Sequence, residues 1–148
     1  MRSCTDDSPH GAAVICAPIH LLLADDHEVF RRALAEVLAA TPGLCVDGEA
    51  GDGRAAVQMA MRLRPDVVLL DFNMPGLNGA QAARVIHRIN PAIHLIGLSL
   101  HDSPEIARDM LEAGAEAFVT KTASAQEIAA CVMRCAGHDD DLRRAEPA

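Results

Sequence analysis

From Ile19 onward the chain alternates short apolar runs with amphipathic stretches, and that alternation admits few folds. The runs are Ile19 to Ala24, Leu44 to Ala50, Asp66 to Leu70, Ile93 to Leu98 and Glu116 to Val119. Each has the length of a buried strand and falls far short of the ~18 to 20 residues of a membrane span. Between them, apolar residues recur at helical spacing: Phe30, Ala33, Leu34, Val37 and Leu38, then Ala56, Met59, Ala60 and Leu63, then Ala82, Val85, Ile86 and Ile89. Thr41-Pro42-Gly43, Pro65, Pro91 and Gly114 stop the first four helices. Ser103-Pro104 starts the fourth helix, and the fifth runs from about Ser124 to Ala136. Five strands alternating with five helices predict an α/β fold, a doubly wound parallel sheet of flavodoxin-like order 2-1-3-4-5.

The two ends depart from this pattern. Residues 1 to 18 lack periodicity and read as a flexible leader; residues 19 to 136 form one domain; residues 137 to 148 read as a C-terminal tail or linker stub. A formal charge of −8 without a Lys or Arg run argues against gripping nucleic acid, so DNA binding needs a separate domain. With neither a membrane span nor a signal peptide in view, a soluble cytoplasmic protein is expected. Cys131, Cys135 and His138 sit near one another in sequence, yet Ile128, Cys131, Val132 and Cys135 follow a core-facing stripe. Packing is the better reading of these thiols than metal binding.

In an open parallel sheet, residues at the carboxyl ends of different strands converge on one crevice. Asp25 and Asp26 follow the first run, Asp71 the third, Ser99 the fourth, and Phe118 and Lys121 lie in and just after the last. Three carboxylates in one crevice repel unless a cation neutralises them, and Mg²⁺ suits such a hard-oxygen site. The plain alternative is that Asp25 or Asp26 caps the first helix.

The stretch Asp71-Phe72-Asn73-Met74-Pro75-Gly76-Leu77-Asn78-Gly79 makes the pattern specific. It resembles the receiver domain of bacterial response regulators, and the resemblance extends over residues 19 to 136. It implies that Asp71 is a phosphoacceptor, modified by a sensor histidine kinase in a two-component system. It further implies that Asp26, Asp71 and the backbone carbonyl of Asn73 bind Mg²⁺ with Asp25 in support. Ser99 and Lys121 would contact the phosphoryl group, and Phe118 would be the aromatic switch position. Thr122 stands where many members carry Pro after a cis bond; a cis bond before a non-proline costs ~2.5–4 kcal/mol.

The stretches Ala24-Asp25-Asp26-His27-Glu28 and Leu98-Ser99-Leu100-His101-Asp102 look like the NarL/FixJ class, receivers attached to LuxR-type helix-turn-helix domains. On that resemblance the output is transcription, and His27 and His101 are rim residues rather than metal ligands. A stand-alone phosphorelay receiver without DNA-binding output is the alternative. A haloacid-dehalogenase-type phosphatase would need a second Asp where Asn73 stands, and Asn cannot donate and recover a proton. A flavodoxin-type flavin carrier is disfavoured because Asp25-Asp26-His27-Glu28 would repel the flavin phosphate. Helix five is apolar over a wide arc, from Ala125 through Met133 to Ala136. That width leaves part of the surface for a partner, and the resemblance implies a weak homodimer through helix five, strengthened by phosphorylation, with Met133 near its edge.

Overall fold

The computed structural model describes residues 17–138. Within them, β1 (Ile19–Ala24), α1 (Glu28–Ala39), β2 (Leu44–Ala50), α2 (Gly53–Leu63), β3 (Val67–Asp71) and α3 (Gly79–Ile89) alternate along the chain. They are followed by β4 (His94–Ser99), α4 (Pro104–Glu112), β5 (Ala117–Thr120) and α5 (Ala125–Met133). The strands form one parallel sheet in the order β2-β1-β3-β4-β5, as the alternation predicted. The greater part of the leader, to residue 16, and the tail from residue 139 lie outside the described residues.

The apolar runs are nearly continuous because both faces of the sheet are covered. Leu22, Ala24, Val68, Leu70 and Leu95 point to the side of α2, α3 and α4, where Ala56, Ala83, Ile86 and Met110 meet them. Leu21, Leu23, Val67, Leu69, Ile96 and Leu98 point the other way, against Leu34 and Leu38 of α1 and Ile128 and Val132 of α5. Leu21, Leu22, Leu23, Leu69 and Leu70 are inaccessible to solvent, so truncating any of them to Ala is expected to cost about 2–5 kcal/mol. The crevice therefore sits on a rigid platform.

Helix starts follow local chemistry. Asn78 with Gln81, and Ser124 with Glu127, form reciprocal capping boxes, while Ser103 caps α4 ahead of Pro104. Helix α1 lacks such a cap: its N-cap is His27, whose side chain makes no capping bond. Asp25 and Asp26 are thus left for other work.

Four elements differ from expectation in their bounds. Strands β3, β4 and β5 each begin and end one residue later than the apolar runs, closing on Asp71, Ser99 and Thr120, since the ladder pairs polar residues as readily as apolar ones. Beyond Met133 the fifth helix widens into a π-helical turn, Arg134–His138. Its apolar arc is consumed internally: Ile128, Ala129, Cys131 and Val132 are buried, and Met133 packs over Gly43. The exposed positions of α5 are Gln126, Glu127 and Ala130, followed by Arg134. The wide arc reflects contact with β2 as well as the central strands.

Candidate functional site

Backbone bonds beyond the strand ends carry the ladder into the loops. Asp25 N–H donates to Ala50 O (3.0 Å), Phe72 N–H to Leu98 O (2.9 Å) and Lys121 N–H to Ser99 O (2.7 Å). These rungs bring the ends of the strands into register. Gly79, the first residue of α3, has its N–H on Phe72 O (2.8 Å), and a Cβ there would run into the Asp71 carbonyl. The glycine that reads as a turn marker is instead what lets a helix abut the backbone of Asp71.

Asp25, Asp26 and Asp71 each offer a carboxylate oxygen, and these lie within 4.8 Å of one another. Asp25 and Asp71 are buried while Asp26 is exposed at the mouth. Lys121 reaches in with its ammonium 2.7 Å from Asp25 Oδ2 and 3.3 Å from Asp71 Oδ2. The ring of Phe30 stands 5.0 Å from the same ammonium, a cation–π contact. Asp25 Oδ1 accepts the His27 N–H (2.9 Å), whereas Oδ2 is buried with no aligned hydrogen-bond donor. Ion pairing with Lys121 is what balances its charge.

Burial, with the charge of Asp25 adding to it, raises Asp71 from 3.8 to about 7 against the opposing pull of Lys121. An oxygen-only donor set, short of positive charge and partly buried, fits a hard divalent cation such as Mg²⁺. Asp26, His27, Asp71, Asn73, Leu100 and Lys121 line a cavity of about 330 Å³ open to solvent. Asp71 is therefore open to a solute from this side.

The structure thus gathers Asp25, Asp26, Asp71, Asn73 and Lys121 in one place, with His27 on the rim. Ser99 and Phe118 are adjacent but do not line the cavity. Ser99 is buried and its Oγ accepts the His101 N–H (3.2 Å). Phe118 packs on the α4 side, where a Cβ on Gly97 would stand 3.2 Å from its ring and 2.9 Å from Met110 Cε. Among the described residues every peptide bond is trans, including Lys121–Thr122. Cys131 and Cys135 are free thiols that form no disulfide, and a hydrogen bond with Cys135 holds Cys131 down at about 7. They lie on α5 and its π turn, not at the crevice; the His138 side chain falls outside those described.

Three contributors escaped the sequence reading: Phe30, Arg31 and Glu49. Arg31 donates from Nε to Glu49 Oε1 (2.9 Å) and from Nη1 to the Asp25 carbonyl (2.8 Å). Phe30 was taken as part of an apolar stripe, and nothing in the spacing of Arg31 and Glu49 announces a contact across 18 residues.

Comparison with known proteins agrees with this geometry. Residues 21–133 match the model of the response regulator receiver domain family. The chain is 36% identical over 118 residues to the transcriptional regulatory protein NarL of Mycobacterium tuberculosis, covering 80% of this chain and 55% of that protein. It is 40% identical over 111 residues to the transcriptional regulatory protein LiaR of Bacillus subtilis, covering 75% of this chain and 53% of that one. The chain therefore spans about half the length of these relatives. The solved signal receiver domain of the Mycobacterium tuberculosis NarL superposes with a TM-score of 0.79 at 34% identity, over 82% of this chain and 98% of that one. Among the described residues, no helix is long and apolar enough to cross a membrane. With sequence, sheet order and acid cluster in accord, the chain belongs to the response regulator receiver domain family, and its relatives are regulators of the NarL/LuxR type.

Proposed function

We propose that the chain is a phosphorylatable switch: a sensor histidine kinase passes a phosphoryl group to Asp71, and the change in shape controls an output, transcription. The observation that carries this is the Asp71 carboxylate, buried at a strand end yet facing an open cavity, with the chain's only lysine 3.3 Å away. In the transfer, an Asp71 oxygen forms the new P–O bond as the P–N bond of a phosphohistidine breaks, and the imidazole nitrogen leaves with the electron pair. Lys121 keeps Asp71 ionised enough to attack and meets the charge that arrives.

Mg²⁺ would be held by Asp26, Asp71 and the Asn73 carbonyl with Asp25 in support, and when bound it supplies charge neutralisation for the phosphoryl oxygens. Asn73 offers no general acid for rapid hydrolysis, so the chain modifies itself and loses the group slowly rather than turning over as a phosphatase. After transfer, the Ser99 hydroxyl leaves the His101 amide for a phosphoryl oxygen, and Phe118 shifts against Gly97 and Met110. Self-association through α5 meets through its polar face, and DNA is contacted only by a separate domain. The cytoplasm, where kinase and output meet, is the compartment this reading requires.

The test is incubation with acetyl phosphate and Mg²⁺ followed by intact mass. One hydroxylamine-labile phosphoryl group per chain is the expected result. A chain that stays unmodified at saturating donor, with its fold intact, overturns the reading.

A further inference from the structure

We infer that Arg31 is a positioning residue that sets the affinity of the acid cluster for its divalent cation, with Glu49 as its anchor. This rests on the reading of Asp25, Asp26 and Asp71 as a cation site. Arg31 projects from α1, and its side chain is only 14% exposed. It makes two directed bonds: Nε to Glu49 Oε1 at 2.9 Å and Nη1 to the Asp25 carbonyl at 2.8 Å. Glu49 immediately precedes Ala50, whose carbonyl accepts the Asp25 N–H at 3.0 Å. The arginine therefore closes a second bridge beside the last rung between β1 and β2.

The consequence falls on Asp26. The Asp25 carbonyl belongs to the planar peptide that joins Asp25 to Asp26, so fixing that oxygen fixes where the Asp26 Cα lies. Asp25 is already held at its N–H by Ala50 and at its carboxylate by His27 and Lys121. Among the described residues no side chain is bonded to the Asp26 carboxylate, which is exposed, so its placement depends on that peptide. Arg31 also spends its charge on Glu49 and a carbonyl rather than on the three carboxylates. It orders the cluster without competing for the cation's place.

Outer partners that orient metal ligands typically change affinity ~10–100-fold when removed. Mg²⁺ titration of the full chain, followed by amide shifts of residues 25 to 27 and 71 to 75, measures this directly. Arg31→Gln is expected to weaken Mg²⁺ about tenfold. Arg31→Lys keeps the charge but cannot make both bonds, so it should weaken Mg²⁺ in the same direction. Glu49→Gln preserves the acceptor and should rescue nearly all the affinity, while Glu49→Leu should behave like Arg31→Gln. Melting without Mg²⁺ separates a purely structural role, which would lower the transition temperature and leave the affinity of the folded protein unchanged. Wild-type affinity in Arg31→Lys, or in a folded Arg31→Gln, overturns the inference. Asp26→Ala is the control: if it too binds Mg²⁺ normally, the cation-site reading itself fails.

Discussion

The Lys121 ammonium stands closer to Asp25 than to Asp71, 2.7 Å against 3.3 Å, and so it bridges two buried acids. Its charge serves Asp25 first, because Asp25 Oδ2 has no other aligned partner. A phosphoryl group on Asp71 would bring more negative charge than either carboxylate and draw the lysine toward it. On the proposed function, the contact that Lys121 would give up is then the one to Asp25, and the lysine would transmit modification to loop geometry.

Lys121→Met tests that division of labour. Removing the ammonium removes the chief influence holding Asp71 down, so its carboxyl should titrate above the value of about 7 that it has against the pull of Lys121. Carboxyl carbon shifts of Asp71 across pH report this. The variant should still accept some phosphoryl from acetyl phosphate but show no propagated shift at Ser99 and Phe118. Normal propagation of the shift to those residues would sink the transmitter role.

Asp71→Asn should abolish the phosphoryl adduct and stabilise the metal-free fold. The sign follows from the raised value of about 7 against 3.8. Below 3.8 both folded and unfolded chains hold the proton, and Asp71 contributes nothing. Between 3.8 and about 7 the unfolded chain ionises while the folded one keeps its proton, so stability falls with rising pH and the full penalty applies above 7. The amide never ionises, so the variant should gain stability at pH 8 by up to about 4 kcal/mol and little at pH 4. Mg²⁺ should narrow the gap by favouring the wild-type carboxylate. Urea melts at the two pH values measure this, and an equal effect at both would contradict it.

How far the sequence discloses this site depends on what kind of relation a residue enters. Asp25, Asp26, Asp71 and Lys121 follow apolar runs, and the rule that strand ends converge brings them together without further information, whereas Asn73 entered only through the resemblance. The sheet order follows equally from alternation and handedness. What stays hidden is contact between side chains on unlike elements. Arg31 meets Glu49 only because α1 crosses the end of β2, and Phe30 meets Lys121 only because α1 borders the β5 loop. Helix five misleads for a related reason: periodicity counts apolar positions but cannot tell which of several neighbours each one meets.

Gly79→Ala is expected to destabilise the domain by about 1–3 kcal/mol, the usual cost of forcing a methyl into a packed contact. A Cβ would also stand 2.7 Å from Phe72 Cα, and backbone cannot yield as a flexible side chain does. Because the displaced backbone is that of Asp71, phosphoryl labelling should slow more than the loss of stability explains. Gly76→Ala makes the comparison: its Cβ meets nothing within 4 Å, so only its φ of 78° opposes the change. Labelling in Gly79→Ala no slower than in Gly76→Ala would show that the approach of α3 is immaterial to the phosphoacceptor.

Met133 distinguishes packing from association. Its Cε lies 3.3 Å from where a Gly43 Cβ would be, so the side chain covers the start of β2. Met133→Ala should therefore lower the melting temperature, with a cost of about 1–2 kcal/mol for a half-buried side chain, and leave self-association unchanged. Ala130→Arg should do the reverse, because Ala130 lies on the exposed face with Gln126, Glu127 and Arg134 and packs against nothing in the core. Sedimentation with and without beryllofluoride, a mimic of the phosphoryl group, reads both variants. If the mimic drives a weak dimer through α5, Ala130→Arg abolishes it while Met133→Ala preserves it. The opposite pattern would return Met133 to the interface and require it to swing off Gly43 when the chain is activated.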